Sequence, residues 1–303
     1  MITAGIDAGS RTIKAVLWDS EKNAILGSGV VDQGIEQRRL ARKLVDRLLN
    51  QVGLNRSHIA RTVATGYGRN LIDFADAHIT EITCHAAGVV HLAPSTRTII
   101  EIGGQDNKVI RLDPQGMVRD FDMNDRCAAG TGRFLEMVAT RLGVPLGDLG
   151  HLVRQSQSPA PISSMCAVFA ETEIVGLLAA GRHPADIVAG VQTAISRRVG
   201  AMAGRNLTAS ICFTGGVALV PGMAQALQTT LGHPVSLPPQ PLLTGALGAA
   251  LLAIPSPTPA SLARAHPDTP AYPSPLSDTG CPRAPARPGA RSDTLRSSSK
   301  YEC

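Results

Sequence analysis

Apolar and polar positions repeat one plan twice along this chain. Ile2 to Ile6 is predominantly apolar, a polar stretch Asp7-Ala8-Gly9-Ser10-Arg11-Thr12 follows, and Ile13 to Trp18 is apolar again. That pattern predicts a β-hairpin whose tip carries an acid, a glycine and hydroxyls. Thr98 to Ile102, a turn at Gly103-Gly104-Gln105-Asp106, and Lys108 to Leu112 predict a second hairpin, and Asp113-Pro114-Gln115-Gly116 suits a type I turn into a third strand. Two halves that each open with a polar-tipped hairpin imply two pseudo-symmetric lobes.

Helical periodicity fills the intervals. Glu36 to Val52 places Leu40, Leu44, Val45, Leu48 and Leu49 on one face and Arg and Lys on the other, an amphipathic helix whose basic face is solvated. Thr80 to His91 predicts a second helix bearing Cys84, His85 and His91. Adjacent helical positions point about 100° apart and no further ligands converge there, so these three are assigned structural roles. Gly132 to Leu142 and Ala167 to Ala180 are predicted helices that each begin just past a cysteine, and Pro184 to Arg205 is a longer one. The strand Ser210 to Thr214 runs into a glycine turn, Gly215-Gly216-Val217-Ala218. Leu243 to Ala253, with its run Gly245-Ala246-Leu247-Gly248-Ala249-Ala250, is a small-residue helix able to pack very close to a neighbour. Strands alternating with helices give an α/β fold. The expected division is a first lobe over residues 1–95, a second over 96–254 whose last helix returns toward the first, and a tail over 255–303.

Composition sets the tail apart. Nearly half of the prolines follow Ile254, among Ser, Ala and Arg, which predicts disorder over 255–303 and argues against Cys281 and Cys303 as ligands. No apolar run reaches eighteen residues and the start has no basic or signal-like stretch, so the expectation is a cytoplasmic protein with no membrane contact. A net charge of +5 raises nucleic acid as a partner, but the basic residues do not cluster and aromatics make up only 3% of the chain, too few to stack on bases. Six cysteines without the density of a secreted scaffold point to thiols and metal ligation instead of disulfides.

Two of those cysteines stand in Gly/Ser-rich stretches that lead into helices: Cys127 in Asn124-Asp125-Arg126-Cys127-Ala128-Ala129-Gly130-Thr131-Gly132, and Cys166 in Ser163-Ser164-Met165-Cys166-Ala167-Val168-Phe169-Ala170-Glu171. A helix start favours thiolate through the positive end of the helix dipole. A 4Fe-4S cluster takes four Cys ligands and no Cys-x-x-Cys pair occurs here, so a cluster on these two would be shared between two copies of the chain. Cys212, in an apolar strand, suits the core instead. The first hairpin tip suits the terminal phosphates of a nucleotide: Gly9 admits close approach, Ser10 and Thr12 offer hydroxyls, Lys14 supplies charge, and Asp7 can hold magnesium through its water shell. It is not a Walker loop, because Gly-Lys-Ser/Thr is absent. Gly103, Gly104, Gln105 and Asp106 form a second such tip, and Gly215-Gly216 offers a place for a nucleoside to pass between strand and helix.

Three such elements in this order resemble the actin, sugar-kinase and Hsp70 superfamily, whose two ribonuclease H-like lobes close on Mg-ATP. Ala64-Thr65-Gly66-Tyr67-Gly68-Arg69-Asn70, Ile102-Gly103-Gly104-Gln105-Asp106, Asn124 to Phe134, Cys166 to Glu171 and Thr214-Gly215-Gly216-Val217-Ala218 narrow the likeness. Together they resemble the BadF/BadG/BcrA/BcrD ATPases, the activators of 2-hydroxyacyl-CoA dehydratases and the ATP-hydrolysing subunits of benzoyl-CoA reductase. The resemblance spans about residues 1 to 254. It implies a dimer, with itself or with a paralogous subunit, that holds one 4Fe-4S cluster through Cys127 and Cys166 of each chain. It further implies ATP-driven transfer of one low-potential electron to a dehydratase or reductase, with ferredoxin or flavodoxin as the donor. In that scheme Asp7 and Lys14 organise magnesium and phosphates, and Gln105 and Asp106 position the attacking water. Two alternatives stay open: a benzoyl-CoA reductase subunit, and a small-molecule kinase with Asp106 as general base to a substrate hydroxyl. A chaperone-like ATPase would need a peptide-binding domain that the short polar tail does not provide.

Overall fold

The computed structural model describes residues 1–163, 166–204 and 207–255. The disorder expected of the tail, with Cys281 and Cys303, falls outside the described residues.

Two five-stranded mixed sheets are built on one plan. In the first, β1 (Ile2–Ala8), β2 (Thr12–Asp19) and β3 (Ala24–Asp32) form an antiparallel meander. The chain crosses over through α1 (Gln37–Gln51) to β4 (Ile59–Thr65), parallel to β1, and β5 (Ala77–His78) adds parallel to β4. The order is β3-β2-β1-β4-β5. After α2 (Glu81–Leu92) the plan recurs: β6 (Thr98–Ile102), β7 (Asn107–Leu112) and β8 (Val118–Asn124) form the meander. Four helices follow, α3 (Gly132–Leu142), α4 (Leu149–Val153), α5 (Ala167–Ala179) and α6 (Pro184–Ala203). They lead to β9 (Ile211–Thr214), parallel to β6. Then come α7 (Met223–Leu231), β10 (Val235–Ser236) parallel to β9, and α8 (Thr244–Leu252). The second order, β10-β9-β6-β7-β8, matches the first strand for strand. The repeat seen in two hairpins is thus a repeat of whole sheets.

Each sheet buries one face through apolar positions of the expected period. Leu44, Val45, Leu48 and Leu49 of α1 pack with Ile6, Ile13 and Leu17 of the first sheet, all at most 3% exposed. Burying each such side chain stabilises the fold by roughly 1.5–3 kcal/mol. In the second lobe Phe134, Leu135 and Val138 of α3 join Ile187, Val191 and Ile195 of α6 against Ile100, Ile102 and Phe213.

Small residues bring the last described helix back to the first strand. A Cβ on Gly248 of α8 would lie 1.7 Å from the Cys84 carbonyl oxygen, and one on Gly88 of α2 would lie 2.1 Å from that of Thr244, so these helices cross backbone to backbone. On its other side α8 lies along β1, where the Thr3 hydroxyl donates to the Ala250 carbonyl at 2.7 Å. No helix among the described residues is long and apolar enough to cross a membrane.

Two expectations change in detail. The sequence pattern puts Asp7 in the first turn, but β1 continues through Ala8 and the tip is confined to Gly9–Arg11. Cys127 precedes a single 3-10 turn over Ala128–Gly130, and α3 begins only at Gly132, so its nearest helix start is that short turn.

Candidate functional site

The two hairpin tips meet across a cavity of about 420 Å³ between the sheets. Asp7, Gly9, Ser10, Thr12 and Lys14 line it from the first lobe, and Gly103, Gly104, Gln105, Asp106, Gly215 and Gly216 from the second. Every residue assigned from sequence to nucleotide binding or hydrolysis therefore opens on one space. Gly215 adopts φ +89°, and a Cβ there would lie 2.4 Å from the Ile102 carbonyl oxygen, so the turn after β9 hugs the second tip as only glycine allows.

Strand register explains the charges on the floor. In β1 and β2 the partner of Asp7 is Lys14, and in β6 and β7 the partner of Glu101 is Lys108. Each hairpin thus carries one acid–lysine pair at the same seven-residue spacing. Lys14 Nζ lies 3.2 Å from Asp7 Oδ2 and remains partly open to the cavity. Lys108 is 1% exposed, and its Nζ donates to Glu101 Oε2 at 2.8 Å and Asp106 Oδ2 at 2.6 Å, with Glu81 Oε2 at 3.6 Å. Burial works against its charge, yet Glu101, Asp106 and Glu81 raise its pKa well above the usual lysine range. Burial, then Glu101, holds the Asp106 carboxyl above the ordinary aspartate value, against the pull of Lys108. Glu81, the first residue of α2, is pushed up to about 7, chiefly by burial.

Three members of this floor escape a reading of the sequence. Glu81 and His85 arrive on α2, which carries no motif, and Glu101 lies inside an apolar strand. His85, expected to be structural, is buried with Nδ1 3.0 Å from the Thr244 hydroxyl, but it also lines the cavity. Burial, reinforced by Lys108, lowers its pKa to about 4, which keeps it neutral. The signal available is the acid–lysine spacing of seven in both hairpins. Of the other residues on α2, Cys84 is wholly buried and its thiol is pushed up to about 12 by burial, and His91 packs edge-on against Trp18 at 4.9 Å.

The BadF/BadG/BcrA/BcrD ATPase family matches residues 4–253. The chain belongs to that family. It is 45% identical over 254 residues to the activator of lactoyl-CoA dehydratase from Anaerotignum propionicum, covering 84% of this chain and 97% of that one. It is 33% identical over 266 residues to a benzoyl-CoA reductase subunit from Thauera aromatica, covering 82% and 92%. Among solved structures, the activator of the 2-hydroxyisocaproyl-CoA dehydratase from Clostridium difficile with bound ADPNP superposes with a TM-score of 0.79 at 40% identity, over 84% of this chain and 94% of that one. The fold is the two-lobed actin-like ATPase architecture.

In this family member the two conspicuous cysteines lie apart from the cleft lining. Cys127 is half-buried beside the second-lobe core, and Asn124 fixes its backbone: Cys127 N donates to Asn124 Oδ1 and Asn124 Nδ2 donates to the Cys127 carbonyl, each at 3.1 Å. Cys166 is exposed and immediately precedes α5. The face of α5 that follows it shows Val168, Phe169 and Val175 to solvent. Cys212 is buried in β9, where burial pushes its thiol up to about 11, as suits a core residue.

Proposed function

We propose that this ATPase drives one electron at low potential into a 2-hydroxyacyl-CoA dehydratase, from a 4Fe-4S cluster shared by two copies of the chain through Cys127 and Cys166. The observation that carries the reading is the division of the molecule. The cleft is phosphate-type, between two hairpin tips, and neither cysteine lines it: Cys127 is half-buried, and Cys166 is exposed at the start of α5, whose Val168, Phe169 and Val175 face solvent. Among the described residues no group of three or more His, Cys, Asp or Glu side chains is arranged to hold a metal. In this reading Cys127 and Cys166 provide two of the four thiolates such a cluster takes, and a second copy seated on the exposed Val168, Phe169 and Val175 would provide the other two. When bound there, the cluster supplies a one-electron store, loaded by a ferredoxin or flavodoxin.

The cleft residues divide the ATPase chemistry. The Gly9–Thr12 tip and Lys14 bind the terminal phosphates, Gly103 and Gly104 close on them from the second lobe, and Gly215-Gly216 carries the nucleoside. Magnesium, which keeps most of its waters, is held through Asp7 and the phosphates. Gln105 and Asp106 orient the attacking water. Lys108 fixes the Asp106 carboxyl, and burial leaves that group more basic than a free aspartate. Raising an electron by a few hundred millivolts requires roughly 5–7 kcal/mol, within reach of ATP hydrolysis. The 33% identity to a benzoyl-CoA reductase subunit supports a second reading, the same electron delivery within a permanent complex.

Anaerobic purification with iron and sulfide analysis and EPR of the reduced protein tests the reading. The expected result is four irons per two chains, lost in both Cys127→Ser and Cys166→Ser. An iron-free wild type that still binds ATP would sink the shared cluster and favour a kinase. Co-purification with large catalytic subunits would move the assignment to the reductase.

A further inference from the structure

Arg11 stands at the tip of the first hairpin and leaves its own lobe. Its Nε donates to Glu136 Oε1 on α3 at 2.9 Å, across 125 residues of chain and across the cleft. Glu136 is held from its other side by Arg133 Nη1, which donates to Oε2 at 3.1 Å. The stem of Arg11 also lies on the second tip, since a Cβ on Gly104 would be 2.7 Å from Arg11 Cβ. Arg11 and Glu136 both line the cavity.

Between Glu136 and Cys127 the chain is tied down by a series of hydrogen bonds. The first amides of α3 are tied to the second tip: Gly132 N donates to the Gly103 carbonyl and Arg133 N to that of Gly104, both at 2.9 Å. The turn just before α3 is tied to the strands beneath it. Asn107 Nδ2 donates to the Gly130 carbonyl at 2.8 Å, and Asn124 clasps the backbone of Cys127. The N-terminal end of α3 thus rests on the second tip and is contiguous with the cysteine segment, while Glu136 stands one turn further along the same helix.

We propose that Arg11 and Glu136 form a strut across the cleft, in which Arg11 is a positioning residue that transmits cleft closure over nucleotide to α3 and so to the Cys127 segment. The proposal rests on the reading of the cavity as the nucleotide site. Arg11 is half-exposed, and an ion pair of that kind contributes little to holding the fold, so it can break and re-form during turnover without cost to the lobes themselves. Its worth lies in direction: it joins a first-lobe tip to a second-lobe helix where phosphates would bind.

The full chain, isolated anaerobically, is compared as wild type, Glu136→Gln, Arg11→Ala and the charge-swapped Arg11→Glu/Glu136→Arg protein. Binding of a fluorescent ATP analogue with magnesium is measured in each. Hydrogen exchange of the peptide covering Asn124 to Arg133 is then followed with and without that nucleotide. In wild type, nucleotide slows exchange in this peptide several-fold. Glu136→Gln binds nucleotide within about fivefold of wild type but loses most of the slowing; Arg11→Ala does the same with weaker binding, and the charge swap restores the response. A full response in Glu136→Gln, or a wild type that binds nucleotide with no change in this peptide, overturns the strut. A wild type that binds no nucleotide overturns the nucleotide reading and the strut together.

Discussion

Lys108 is nearly inaccessible, and three carboxylates surround its ammonium. Removing one partner from a buried ionic group leaves uncompensated charge, which costs about 3–5 kcal/mol. Lys108→Met should therefore lower the unfolding free energy from urea titration at pH 8 by an amount in that range, and the deficit should shrink on acidification as the stranded carboxylates protonate. Glu81 gives the complementary case. Its pKa rises from 4.5 in the unfolded chain to about 7 in the fold, so the native state binds the proton more tightly. The stability this contributes is complete below pH 4.5 and is lost as pH rises through 7. Glu81→Gln removes the loss. Its stability relative to wild type should climb between pH 4.5 and 7 and then level off, by at most on the order of 2–3 kcal/mol. His85 runs the other way: held neutral with a pKa near 4 against 6.5 unfolded, it stabilises the fold above pH 6.5 and loses that effect as pH falls through 4. In wild type the two slopes oppose one another; Glu81→Gln should unmask acid sensitivity between pH 6.5 and 4, measured by thermal melting across that window.

Elements whose contacts are local were legible, and those made by distant packing were not. The predicted helix over Glu36 to Val52 lies at Gln37–Gln51, because its apolar period of 3.6 both forms it and buries it. Both hairpins were legible because each closes over a few residues. β3 was not predicted: its Gly27 and Gly29 interrupt any strand pattern, yet they are there because α1 lies on them, with a Cβ on Gly29 coming within 2.9 Å of Leu44. β4 and β5 add to the sheet in parallel, a pairing no neighbouring residue announces. Glu81 and His85 reach the cleft only because α2 is clamped against α8, from the far end of the described residues. That clamp is itself testable. The run Gly245 to Ala250 promised close packing, and the 1.7 Å approach at Gly248 leaves no room for any side chain against a backbone carbonyl. Gly248→Val should destabilise by more than about 3 kcal/mol in urea titration, above the usual cost of overpacking, since backbone rather than a movable side chain must yield. The same change should disturb nucleotide binding, because Gly245 on the same helix lies beside Asp7 and His85.

At the scale of the whole molecule, sign matters more than position. The chain carries a net charge of +5, but the cleft floor runs the other way. Asp7, Glu81, Glu101 and Asp106 face Lys14 and Lys108, four acids against two ammonium groups. A nucleoside triphosphate is itself a polyanion, so its phosphates and this floor repel unless a divalent cation lies between them. Two unit charges about 4 Å apart interact by about 4 kcal/mol at the effective dielectric of a partly open site. Losing even three-quarters of one such interaction changes affinity by about a hundredfold, at 1.4 kcal/mol for each factor of ten. Calorimetric titration with ATP should accordingly show at least that difference between magnesium and excess EDTA. Manganese, similar in its preference for oxygen ligands, should restore binding. Equal affinity in EDTA would mean that Lys14 and the backbone amides of the tips neutralise the phosphates unaided, and that the acids of the floor serve the hydrolytic water instead. The protonation of Glu81 sharpens the distinction. A cation arriving beside a carboxyl with a pKa near 7 favours its ionised form. Binding of magnesium and ATP at pH 7 should then release a fraction of a proton, read as a buffer-dependent heat that Glu81→Gln abolishes while leaving the magnesium requirement in place.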